Sequence, residues 1–237
     1  MSLKRKETVQ VIGELIAGWE IPFVIDSVVD NLDGTYTLNV PKTYYLQPGN
    51  RRELVINLIK YKVTEVVNNT SVTLKGSVEP PSTTFNLPVP YYFHGTIVQT
   101  NSELKKESSL HKKTPMIYLR RPFPETLNAM DKVDSDIANK ADLVFYFLTE
   151  ANFNEWLTAD HDKYAVVPMR NMIYEFIELL KRNAKYIERL TDYTATDLIK
   201  FGLVTTNGVT AGLFSDNYSG VEMNITLGIK YQCICSE

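Results

Sequence analysis

The sequence predicts an α+β protein: a small N-terminal antiparallel β module, then a C-terminal sandwich of a sheet and one long helix. Three observations carry that prediction. Asp33-Gly34 separates two β-rich runs, the signature of a hairpin. From Pro168 to about Arg189, apolar residues recur at i, i+3, i+4 and i+7, which is one face of a helix. Val221 to Cys233 alternate strictly with polar residues, as a half-buried strand requires.

In chain order, residues 7–18 read as a short amphipathic helix on Val9, Ile12 and Ile16, weakened by Gly13 and ended by Gly18. Phe23–Val28 and Tyr36–Val40 form the arms of the Asp33-Gly34 hairpin. Leu54–Val67 is rich in β-branched and aromatic residues, Asn68-Asn69 turns the chain, and Ser71–Lys75 follows up to Gly76. Pro80, Pro81, Pro88 and Pro90 break the next stretch into extended, irregular chain. Residues 99–113 are polar and without periodicity, which predicts an exposed linker or loop. Met116–Leu119 and Asp142–Leu148 read as strands, the second central, and Asn152–Trp156 as a helical turn. Pro168 occupies the first position of the long helix, whose buried stripe is Met169, Met172, Ile173, Phe176, Ile177, Leu180 and Ile187. Residues 205–220 read as a second polar loop. The resulting division is a helix over 1–20, a β-rich module over 21–100, a linker over 101–114 and an α+β domain over 115–237. Both polar segments, 99–114 and 205–220, are expected to be contact segments that order on assembly.

Composition narrows the function. The chain has 237 residues, 44% hydrophobic and 22% charged, with a formal net charge of −3. No global charge draws it to nucleic acid, and its basic pairs, such as Lys105-Lys106 and Arg120-Arg121, are short. No apolar run approaches the ~20 residues that span a bilayer, and the N-terminus lacks a signal-peptide core. The expectation is a chain that stays in its compartment of synthesis with reduced thiols.

No constellation of reactive residues emerges. His94, His111 and His161 stand in dissimilar contexts, and Asp160-His161-Asp162 reads as a polar loop before Pro168. Asp131, Asp134 and Asp136 lack the glycine and the bidentate glutamate of a calcium loop. Cys233 and Cys235 would share a strand face about 6.5–7 Å apart, at the limit for a disulfide, with no second pair to complete a zinc site. Phosphate loops, dinucleotide fingerprints and nucleophile elbows are missing. No catalytic, cofactor-binding or metal residue is therefore assigned, and no cofactor is expected. The aromatic clusters Tyr44-Tyr45 and Tyr91-Tyr92-Phe93 adjoin prolines rather than lysines, which favours packing over base stacking. They leave open a rival reading, a β module that binds carbohydrate or a surface partner.

A succession of segments points further. Thr114–Leu119, Asp142–Leu148, Ala151–Trp156, the helix from Val167-Pro168-Met169, and Leu213–Val221 leading into the last strand follow one another in order. In this succession residues 114–237 resemble the tail-terminator and head–tail connector proteins of tailed bacteriophages. The whole chain is similar to virion proteins of Bacteroides-type, crAss-like phages. The resemblance implies a structural, non-enzymatic protein made in the host bacterial cytoplasm and built into the virion. It implies a homo-oligomeric ring at the portal–tail junction, with portal, connector or tail proteins as neighbours. DNA would pass through the lumen without specific binding, and no membrane would be involved.

Overall fold

Local pattern and long-range pairing together give two large sheets, three two-stranded pairs and one long helix among the described residues. The structure, a computed structural model, describes residues 3–4, 7–48, 53–80, 83–106, 114–127, 137–185, 187–206, 209–214, 216–230 and 232–233. Its first elements are β1 (Leu3–Lys4), α1 (Thr8–Ala17) and β2 (Pro22–Phe23). The hairpin of β3 (Ser27–Asp30) and β4 (Thr35–Asn39) turns at Gly34, whose φ of 79° is the left-handed conformation expected there. Then come β5 (Glu53–Ile56), β6 (Ile59–Val67) and β7 (Ser71–Lys75). These strands form a five-stranded antiparallel sheet in the order β3-β4-β7-β6-β5. After β8 (Phe85–Asn86), β9 (Tyr91–Gly95) and α2 (Ile97–Lys106), the C-terminal half contributes β10 (Met116–Arg120), β11 (Glu125–Leu127) and β12 (Ile137–Glu150). The short α3 (Thr158–His161) passes through a π turn (Asp162–Val166) into α4 (Val167–Arg182). The chain ends in β13 (Ile187–Phe201), the hairpin of β14 (Leu203–Thr206) and β15 (Val209–Gly212), β16 (Tyr218–Lys230) and β17 (Gln232–Cys233).

The second sheet runs β13-β16-β12-β10-β9, with β11 also paired to β12. The stripe of α4 lies on it. Met169, Ile173, Phe176, Ile177 and Leu180 are all buried. Phe176 meets Phe145 and Phe147 edge-on at centroid distances of 5.2 and 5.6 Å. Burying such side chains contributes on the order of 1.5–3 kcal/mol each. The expected α+β architecture is therefore present.

Four local expectations need correction. The boundary drawn at residue 100 is misplaced, because β9 pairs in parallel with β10 and so belongs to the second sheet. Phe93 stacks on Tyr118 with centroids 5.0 Å apart, a contact that the extended chain after Pro88 and Pro90 allows. The supposed linker is helical up to Lys106, while 107–113 lie outside the described residues. Thr96 and Gln99 start that helix reciprocally: the Gln99 N–H donates to Thr96 Oγ1 and the Thr96 N–H to Gln99 Oε1. The long helix ends at Arg182, where Asn183 Nδ2 donates to the Leu179 carbonyl at 2.7 Å. Ile187 and Arg189 consequently stand in β13, opposite Ile229 and Gly228. The described residues of 205–220 are mostly strand, in the β14–β15 hairpin and the start of β16.

The two halves share one core. Ile12, Leu38, Tyr61 and Leu74 of the N-terminal half join Phe145, Phe176 and Val221 in a single buried cluster. Trp19, just after α1, sits 6.1 Å from Phe176. A module of some eighty residues buries little surface alone, so a common core is the economical solution.

Candidate functional site

The N-terminal half meets the helices at one end of the five-stranded sheet, and three asparagines hold that junction. Asn68 and Asn69 turn β6 into β7, Asn69 at a φ of 48°. Asn69 Oδ1 accepts from the Thr43 N–H at 3.2 Å, and the Asn69 N–H donates to Thr43 Oγ1 at 3.0 Å. From α4, Asn171 Nδ2 donates to Asn68 Oδ1 at 2.7 Å and to the Tyr44 carbonyl at 3.3 Å. Lys42 and Glu175 add an exposed ion pair at 2.7 Å, a contact of small net value.

These ties leave a cleft of about 560 Å³. Leu46, Pro48, Val66, Val167 and Pro168 line it with apolar surface, and Ala159, Glu65, Asp162 and Lys163 stand around it. Its size falls in the range of ligand pockets, and an apolar floor under a charged rim suits a hydrophobic group carried on a polar chain.

The π turn shapes one wall of this cleft. Pro168 has no N–H to give the carbonyl four residues back, and the Val167 N–H reaches Asp162 O in the wider π pattern. Pro168 stands in the first turn of α4, as expected, and the π turn continues the helical segment in front of it. Asp160-His161-Asp162, expected as a loop, is part of that segment. His161 is buried, with Nδ1 2.9 Å from Ser219 Oγ, which also accepts the Lys200 N–H at 3.1 Å. The Trp156 and Phe153 rings flank it at 5.4 and 6.1 Å. Ser219 is wholly enclosed, so this pair locks α3 to β16 and has no room to attack a substrate.

Burial, with Lys200 nearby, pushes the His161 pKa below the ordinary histidine value of 6.5, against the opposing pull of Asp160 and Asp162. The unfolded chain then binds a proton near pH 6.5 that the folded chain refuses. Stability attributable to His161 should be complete above that pH and decline as pH falls below it. Urea midpoints measured from pH 8 to pH 5 will show this decline, and His161→Gln will flatten it. An equal slope in both proteins would remove His161 as its source.

The other residues singled out from the sequence do not converge. His94 is exposed on β9, and Cys233 stands opposite Leu3 in the β1–β17 pair. Arg120 ends β10 and Arg121 follows it, both exposed, Arg121 with its guanidinium 5.7 Å from the Phe123 ring. His111, Asp131, Asp134, Asp136 and Cys235 lie outside the described residues. Among the described residues no group of three or more His, Cys, Asp or Glu is placed to hold a metal, and no helix is long and apolar enough to cross a membrane. The aromatic clusters turn inward: Tyr44, Tyr45 and Phe93 are buried, and Tyr44 and Tyr45 donate their hydroxyls to the Pro22 and Pro88 carbonyls.

No family model, curated protein or solved structure matches this chain.

The cleft was invisible to sequence reasoning. Asn68-Asn69 signalled a turn, but nothing local links it to Asn171, about a hundred residues away.

Proposed function

We propose that this chain is a structural virion protein, not an enzyme, which assembles into a ring at the portal–tail junction of a tailed phage. The observation that supports this reading is a pair of leucines at one end of the five-stranded sheet. Leu32, in the β3–β4 turn, is 90% exposed with a φ of 62°. Leu58, in the β5–β6 turn, is 95% exposed with a φ of 67°. Both turns lie at the same end, because β4 pairs Thr35 with Lys75 of β7, which in turn faces Lys62 of β6.

A left-handed conformation costs a branched residue roughly 1–3 kcal/mol, and glycine or asparagine would avoid the cost. A leucine there buries nothing within its own chain. Its side chain gains only against a partner, as expected of a protein whose work is contact. Repeated heterologous contacts close a ring when their rotation closes. A lumen that passes DNA is served by weak attraction, and the net charge of −3 is consistent with that.

Native mass spectrometry and negative-stain imaging of the purified chain test the assembly. A closed ring of copies is the expected result, and a monomer at all concentrations up to about 100 μM, near the weak-complex limit, would overturn it. A salt-titrated assay should find duplex DNA bound no tighter than roughly 10⁻⁴ M at physiological salt. Charge reversal at Arg120 and Arg121 should weaken assembly and leave that affinity unchanged. Submicromolar, salt-sensitive binding would point to a DNA-binding role instead.

A further inference from the structure

We infer that the Leu58 turn of one copy seats in the cleft of the next, so that the two ends of a single sheet form knob and hole. This rests on the assembly reading above and names its contact. Strand β6 connects the two features. It begins at Ile59, beside the Leu58 turn, and ends at Glu65–Val67, which line the cleft. Eight residue steps of strand separate them by about 26 Å. A copy therefore cannot fill its own cleft with its own turn, and the contact must run between molecules.

Complementarity favours a second copy as the occupant. The turn presents an apolar side chain on a tight two-residue loop, Asn57 at a φ of 50° and Leu58 at 67°, a rigid type I′ knob. The cleft offers an apolar floor with ample volume for a leucine and the shoulders of its turn. Charge agrees with shape. Lys60, Lys62 and Lys75 stand near the knob, with Glu53 in an ion pair with Lys60 at 2.9 Å and Asp33 beside Lys75. Glu65 and Asp162 stand at the cleft with Lys163 among them. A knob basic by one charge thus meets a hole acidic by one, which favours knob in hole over knob against knob. Donor and acceptor surfaces differ, so the contact is heterologous and extends head to tail until a ring closes.

Two substitutions separate the halves of the contact. Leu58→Gly removes the knob and gives the turn the residue its backbone prefers, so the fold should be at least as stable as the native one. Ala159→Arg places a long cation at the mouth of the cleft on an exposed helical position. Thermal unfolding of both verifies that each is folded.

In sedimentation velocity and native mass spectrometry, each variant alone should lose assembly, its dissociation constant rising at least about tenfold. An equimolar mixture of the two should give a one-to-one dimer and nothing larger, because only one intact knob and one intact hole remain. If the native chain assembles and either Leu58→Gly or Ala159→Arg assembles equally well, the knob-and-hole contact is wrong while the ring reading stands. A mixture that stays monomeric also rejects the contact. If the native chain is monomeric throughout, both readings fall together.

Discussion

Phe176→Ala should destabilise the folded chain by ~3–5 kcal/mol, the cost of emptying a large aromatic site that its surroundings cannot fill. Phe176 is fully buried, with Phe145 and Phe147 of β12 on one side and Trp19 on the other. It is the side chain through which α4 touches both the central sheet and the N-terminal half. Its loss therefore weakens the whole core and not one module. Urea unfolding followed by tryptophan fluorescence and by far-ultraviolet circular dichroism should move together, with Tm lowered by roughly 10 °C. A loss below about 1 kcal/mol would mean that the helix does not pack as described.

Gly220→Ala should be at least as damaging, despite adding one methyl group. Gly220 lies in β16 between Leu148 of β12 and Leu198 of β13. A Cβ there would run into the backbone carbonyl of Phe147. Backbone in the middle of a paired sheet cannot step aside, so β12 must shift and lose hydrogen bonds to β16 and β10. The cost should reach or exceed the upper end of the ~1–3 kcal/mol typical of overpacking, and soluble yield should fall sharply. Gly76→Ala is the comparison. Its Cβ would meet the buried ring of Tyr61, which must repack but is a side chain and not backbone, so its effect should be destabilising yet smaller. Equal stability of Gly220→Ala and the native chain would contradict the close approach of β16 and β12.

These two positions also mark the limits of sequence reading. Phe176 was legible, because a helix repeats every 3.6 residues and six apolar side chains of α4, Met169 to Leu180, fall on one stripe. The alternation in β16 and the Asp33-Gly34 turn were legible for the same reason: each pattern is written within a dozen neighbouring residues. Gly220 was not, since what makes a methyl intolerable there is the carbonyl of a residue 73 positions earlier.

The sequence by itself determined the α+β class, the buried face of α4, the Asp33-Gly34 and Asn68-Asn69 turns of the first sheet and the polarity of β16, but not the Asn57-Leu58 turn, which divides the run Leu54–Val67 into two strands. All of these follow from local periodicity and turn chemistry. Tertiary structure alone decided that Tyr91–Gly95 leaves the first sheet for the second, where Phe93 finds Tyr118. It decided that Ile187 starts a strand instead of ending a helix. The polar edge strand β13 has a weak pattern of its own and takes its shape from pairing with β16. It alone brought Asn68, Asn171 and the π turn together around the cleft. Such features depend on which surfaces meet, and hydrophobic burial and strand pairing are settled between segments far apart in the chain, where no local pattern can record them.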